Sequence, residues 1–100
     1  MTGHVVDEAS STRLDIWLWR ARFYKTRGLS AAQVSRRGVR ITRHGQTRKT
    51  NKPGTTVLPG DIVTFGRSVH IKSVKVLNIG TRRGPAAEAA TLYQELKEEN

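Results

Sequence analysis

Leu29-Ser30-Ala31-Ala32-Gln33-Val34-Ser35-Arg36-Arg37-Gly38-Val39-Arg40-Ile41-Thr42 changes its period at Gly38. Before the glycine, Ser30 and Gln33 have the spacing of a capping box, and Leu29 and Val34 that of a hydrophobic staple. Ala31 and Val34 share the inward face of the helix these signals open, and Gly38 stops it. Beyond Gly38, Val39 and Ile41 alternate with Arg40 and Thr42, the period of a strand. A helix that hands over directly to a strand points to a mixed fold.

Working upstream, Thr12-Arg13-Leu14-Asp15 reads as a second capping box, opening a helix over 12–23. At 100° per residue, Leu14, Trp17, Leu18 and Ala21 gather on one face. Ile16, Trp19 and Phe23 gather nearly opposite, beside Arg13 and Arg20. Such a helix must be covered from two sides or offer one side to a partner. The polar, basic turn Tyr24-Lys25-Thr26-Arg27-Gly28 joins it to the helix opened by Ser30, and small Ala31 lets the two approach closely. The pair is a helical hairpin.

Downstream, His44-Gly45 marks a turn, and 43–54 is a basic, polar loop whose one apolar side chain is Pro53. Residues 55–57 and 62–65 read as strands around the turn Leu58-Pro59-Gly60-Asp61. One or two further strands occupy 69–79, with a bulge expected where the alternation slips between Ile71 and Val74. Pro85 is well placed as the first residue of a terminal helix carrying Ala89, Leu92, Tyr93 and Leu96 on one face. The expected division is a tail over 1–11, a binding domain of helical hairpin and sheet over 12–80, and a C-terminal extension with a helix over 81–100.

One hundred residues make one domain, and 36% hydrophobic with 26% charged residues suits a small folded protein. No apolar run approaches the roughly 20 residues that cross a bilayer, and 1–12 has no apolar core of a secretory signal. Without cysteine there is no disulfide scaffold, thiolate metal site or cysteine nucleophile, so a reduced cytoplasmic home is the default. The net charge is +10. Of the 18 Lys and Arg, all but Lys97 lie within 13–83, where only Asp15 and Asp61 oppose them. A chain this cationic repels itself unless a polyanion neutralises it. Nucleic acid is the favoured partner, ahead of an anionic membrane surface.

Catalysis finds no support. The acids form no convincing pair, Asp15 being explained by capping and Asp61 by its turn. His4, His44 and His70 are scattered without metal-site spacing, and no phosphate-binding glycine motif is present. Neither an enzymatic activity nor a cofactor is expected. Nucleic-acid binding has more behind it. Arg13 and Arg20 line the first helix, Lys25, Thr26 and Arg27 the turn, and Ser30, Gln33 and Arg37 (with Arg36 beside it) the second helix. Arg43, Arg48, Lys49, Asn51 and Lys52 follow in the basic loop. A rigid basic ledge of this kind suits recognition of shape and backbone over sequence. Trp17 reads as core. Trp19 and Phe23 read as packing beneath the terminal helix rather than as platforms for bases.

Arg13-Leu14-Asp15, Lys25-Thr26-Arg27, Ala31, Gly38-Val39-Arg40-Ile41 and Leu58-Pro59-Gly60-Asp61-Ile62-Val63 together resemble the RNA-binding domain first named for the fourth small-subunit ribosomal protein. More specifically, the run from Trp17 through Arg27 and the run from Arg82 through Tyr93 are similar to the bacterial fifteen-kilodalton ribosome-associated heat-shock protein family. The resemblance covers roughly 13–96. It implies an α+β fold, a helical hairpin on a small, strongly bent, mainly antiparallel sheet. It also implies a cytosolic, non-enzymatic RNA-binding factor of the stress response, acting in the best-known branch on free large ribosomal subunits that carry a blocked nascent chain on tRNA. Arg13, Lys25, Thr26, Arg27, Ser30, Gln33 and Arg37 match the domain's RNA-facing surface, and Lys49, Asn51 and Lys52 fall in its basic loop. Two departures stand out: His44 replaces the usual Asn before Gly45, and Glu98-Glu99-Asn100 stands where some members continue into a long basic tail.

Two other readings remain open. One is a helix-turn-helix DNA-binding protein with 30–37 as recognition helix. The other is a protein-interaction or chaperone module using an exposed Ile16, Trp19 and Phe23. A monomer is the simpler expectation for so charged a small domain.

Overall fold

The computed structural model describes residues 10–97. The order of elements is β1 (Thr12–Arg13), α1 (Leu14–Arg20), α2 (Arg27–Arg37), β2 (Val39–Arg43), β3 (Gln46–Thr50), β4 (Thr56–Val57), β5 (Ile62–Arg67), β6 (His70–Val76), α3 (Ala86–Ala89), a 3-10 turn (Ala90–Leu92) and β7 (Tyr93–Leu96). Five strands form one antiparallel sheet in the order β3-β2-β5-β6-β7, and β1 pairs separately with β4. The fold is α+β, as the change of period at Gly38 implied.

The inner stripe of α1 is as expected, with Leu14, Trp17, Leu18 and Ala21 buried. They meet Val34 of α2, Val63 and Phe65 of β5, and Val74 and Val76 of β6 in one core. The indole N–H of Trp17 donates to the Asn78 carbonyl at 2.9 Å, so the largest core side chain buries no unsatisfied donor.

Both ends of α1 differ from the sequence reading. Thr12 pairs with Val57 in β1, and Arg13 is the N-cap residue without a side-chain capping bond. The first helical N–H groups, of Leu14 and Asp15, donate instead to the carbonyls of Thr55 (2.7 Å) and Pro53 (3.1 Å). A distant loop does the work of a cap. At the other end Arg22 takes φ +67°, its N–H bonding to Trp19 O and that of Phe23 to Leu18 O. This is a Schellman closure with arginine in the left-handed position that glycine usually fills, which is why no stop signal was visible before Phe23. Arg22 Nε donates to Gly84 O at 2.7 Å and helps hold that conformation.

The second helix starts earlier than Ser30. Thr26 caps it, accepting the Leu29 N–H on its side-chain oxygen at 3.0 Å, and Arg27 is its first residue. Gly38 ends it with φ +77° and ψ 163°, a region closed to residues bearing a Cβ.

Three expectations for the sheet are corrected. Residues 43–54 are not all loop, because β3 pairs with β2 from Arg43↔Gln46 to Val39↔Thr50. Its lack of apolar residues follows from its place at the sheet edge, where all but Thr50 are exposed. His44 (φ +52°) and Gly45 (φ +76°) form the two-residue turn, both in the left-handed region that such a hairpin requires. No bulge interrupts β6, whose register with β5 is continuous from Ile62↔Lys75 to Arg67↔His70. The alternation slips because Ile71 lies on the opposite face from Val74 and is 64% exposed. Finally, the terminal helix is one turn long and continues as strand β7 beside β6. Segment 86–96 thus belongs to the same sheet and core. The tail over 1–11 falls almost wholly outside the described residues.

Candidate nucleic-acid interface

Arginine side chains near the start of α1 and the end of β2 are committed to buried carboxylates. Arg13 donates to Asp15 through Nε (3.0 Å) and Nη2 (3.1 Å), and Asp15 is 2% exposed. Arg43 donates to Asp61 through Nε (2.8 Å) and Nη2 (2.7 Å), with Asp61 equally buried and also accepting the Leu58 N–H. Both guanidinium pKa values are raised, first by these hydrogen bonds. Asp15 is therefore an ion-pair partner and not a cap.

Other nominated residues also serve the fold. Ser30 is fully buried, and its hydroxyl donates to Asp15 O at 2.9 Å, tying α2 to α1. It does not reach the surface. The face shared by Ser30, Gln33 and Arg37 turns inward at Ser30, leaves Gln33 half-buried and opens only at Arg37. Thr26 is used in capping. Asn51 Nδ2 donates to Ser35 O at 3.2 Å and fastens the end of the β3 segment to α2. Arg20 Nη1 donates to the carbonyls of Ile79 (3.2 Å) and Gly80 (2.9 Å), spanning to the start of the terminal segment.

What remains is a set of exposed cations without carboxylate partners: Lys25, Arg27, Arg36, Arg48, Lys49 and Lys52. Lys25 and Arg27 stand at one end of α2. Arg36 lies about 13 Å along the axis from Arg27, at the end that Asn51 joins to the Lys49–Lys52 stretch. The Arg20 pKa is lowered, chiefly by burial and then by the positive charge of Arg27.

The exposed cations go unpaired for want of anions. Among the described residues the carboxylates are Asp15, Asp61, Glu88 and Glu95. Each is already in an ion pair, with Arg13, Arg43, Arg82 and Lys72 respectively. Arg27 therefore has no Glu to pair with on the described surface. Arg37 makes only a long contact, 3.4 Å from Nη1 to Ser68 O.

Several cations escaped the sequence reading, Arg40, Lys75 and Arg67 among them. Arg40 and Lys75 are exposed and unpartnered on β2 and β6, while Arg67 lies 5.8 Å over the Phe23 ring. Arg40 was findable, since the alternation that buries Val39 and Ile41 must turn it outward.

The outer apolar face is covered at Phe23. Phe23 is 5% exposed, with Phe65 and Tyr93 rings at 5.0 and 4.7 Å, and Ile16 and Trp19 are half-buried. Tyr93 does the covering, as expected, but from a strand instead of a helix.

No protein-family model matches the chain. It is 39% identical over 90 residues to heat shock protein 15 of Escherichia coli (strain K12), covering 90% of this chain and 64% of that protein. To the heat shock protein 15 homolog of Aeromonas salmonicida it is 36% identical over 89 residues, again covering 64% of the relative. A solved structure of heat shock protein 15 from Vibrio cholerae, described as trimeric, superposes with a TM-score of 0.73 at 37% identity, covering 86% of this chain and 82% of that one. The chain belongs to the heat shock protein 15 family. It spans 64% of the length of the Escherichia coli and Aeromonas relatives. No described helix is long and apolar enough to cross a membrane.

Proposed function

We propose that this chain is a non-enzymatic RNA-binding protein of the cytoplasm that takes ribosomal RNA of the large subunit as its target. The observation that carries the reading is the exhausted supply of carboxylates: every one among the described residues is paired, while Lys25, Arg27, Arg36, Arg48, Lys49 and Lys52 are left exposed and unpaired. Phosphates supply the missing charge. The two helices, tied by Ser30, and the β2–β3 hairpin, tied by Asn51, hold Arg27, Arg36, Arg48 and Lys49 on regular elements with Lys25 and Lys52 beside them, so phosphate spacing and RNA shape set the fit.

Membership of the heat shock protein 15 family supports a role in stress, and the resemblance extends it to the ribosome, in particular to large subunits holding a blocked nascent chain on tRNA. The trimer of the Vibrio cholerae relative supports self-association of this chain in place of the monomer expected from charge alone. A helix-turn-helix DNA reader is disfavoured because α2 turns Ser30 and Val34 inward and is joined at Ser35 to Asn51, just beyond β3. The interaction-module reading loses its exposed patch with the burial of Phe23.

Co-sedimentation with separated ribosomal subunits, at low and physiological salt, tests the proposal. Saturable association with large subunits at physiological salt, competed by large-subunit RNA better than by duplex DNA, is the expected result. Equal competition by duplex DNA, or no association at physiological salt, overturns it.

A further inference from the structure

The five-stranded sheet has a second face, turned away from the core. Val39, Ile41, Val63, Phe65, Val74 and Val76 face the core, so the intervening residues of β2, β5 and β6 face away. That face contains no fully buried side chain: Arg40, Lys49, Lys75 and Ile71 are exposed, and Thr42, Thr64 and Ser73 half-buried. Across the strands Lys49 stands opposite Arg40, Arg40 opposite Thr64, and Thr64 opposite Ser73. Like charges directly opposite one another on a sheet repel, and among the described residues no carboxylate lies on this face to relieve Arg40 and Lys49.

A groove at the junction with α2 concentrates the same charge. It is lined by Arg37, Arg40, Lys49, Thr64, Gly66 and Ile71. Two glycines shape it. The Lys49 side chain passes so close to Gly38 that its Cε would lie 2.7 Å from a Cβ there, and the Arg37 guanidinium occupies the space a Cβ on Gly66 would take. Both cations thus lie along the backbone at the groove wall.

We propose that this groove and the adjoining back of the sheet form a second phosphate-binding surface, on which an RNA backbone continues beyond the α2 ledge. The inference rests on the RNA reading and extends its footprint to Arg40 and Lys75, with Arg37 and Lys49 joining the two surfaces. The hydroxyls of Thr64 and Ser73, 2.9 Å apart, add neutral hydrogen-bonding groups between the cations. A second copy of this chain is a poorer occupant, because a cationic face would have to meet a chain that itself carries a net charge of +10.

The test compares the doubly substituted Arg40→Gln, Lys75→Gln chain with an Arg27→Gln, Arg36→Gln chain. Each is titrated with purified large-subunit ribosomal RNA over a salt series, and circular dichroism and sedimentation of the RNA-free protein are recorded. The sheet variant is expected to bind about tenfold more weakly and to lose about 1.5 from the log–log salt slope, as two lost phosphate contacts require. Unchanged affinity and slope in the sheet variant, with a loss in the helix variant, overturns this inference and leaves the RNA reading standing. No change in either variant overturns the RNA reading itself. A sheet variant whose RNA-free assembly state shifts while its RNA affinity holds identifies the face as a contact between copies, which also overturns the inference.

Discussion

Ser30 Oγ donates to the main-chain oxygen of Asp15 at 2.9 Å, a buried bond that locks the second helix against the first. A residue whose spacing with Gln33 suggested a helix cap, and whose position suggested RNA contact, is in fact a bolt between helices. Ser30→Ala is expected to lower stability by about 1 kcal/mol, the ordinary net value of such a bond. Urea unfolding measures the loss, and RNA affinity at a temperature where the variant is folded should match the wild type. A selective fall in affinity at unchanged stability would return Ser30 to the binding surface.

Asp61 holds Arg43 from inside the fold and caps the 58–61 turn through the Leu58 N–H. Asp61→Ala strands that N–H and leaves the Arg43 guanidinium without its counter-charge. Because Arg43 is partly exposed, the expected cost is about 2–3 kcal/mol, below that of a fully buried pair. The readout is the denaturant midpoint, and a loss within 0 to ~0.5 kcal/mol would show the pair to be idle.

Arg27 and Arg13 provide a matched comparison on one ledge. Arg27 is exposed and unpaired, whereas Arg13 is bound to Asp15. Arg27→Gln should weaken RNA binding and reduce the log–log salt slope by about 0.7–0.9, one phosphate's share. Arg13→Gln should leave the slope nearly unchanged and lower stability instead. Salt titrations of both variants decide the matter, and equal slopes for the two would remove the distinction between tied and free cations.

Tyr24 sets an alkaline limit on stability. Burial raises its phenol above the usual 10.0, while Arg67 and Arg37 pull in the opposite direction with less effect. A folded-state pKa above the unfolded one means that the neutral phenol's contribution is complete below about pH 10. It is then lost as pH rises through the higher folded value. Wild-type stability should therefore fall more steeply above that pH than the stability of Tyr24→Phe. Parallel curves for the two proteins would contradict this.

The α+β class, the inner stripe of α1, the stop at Gly38 and the burial of Val39 and Ile41 were legible in sequence because each depends on a local period or one permissive residue. β3 was not legible, since an exposed edge strand needs no apolar alternation. The end of α1 was hidden by an arginine in a left-handed position, and β7 by residues whose spacing also suits a helix. Pairing with β6, supplied from far along the chain, chose the strand.

For the binding surface the division follows the same physics. The sequence alone determined that this protein carries a large positive excess confined to 13–83, because charge is additive and needs no geometry. Which cations are free was decided by the tertiary structure. Ion pairs act over a few ångströms, and only folding brings Asp61 to Arg43, Glu95 to Lys72 and the carbonyls of Ile79 and Gly80 to Arg20. Once those contacts have taken their arginines and lysines, Arg27, Arg36, Arg40, Arg48 and Lys49 on α2, β2 and β3 are left exposed and unpaired.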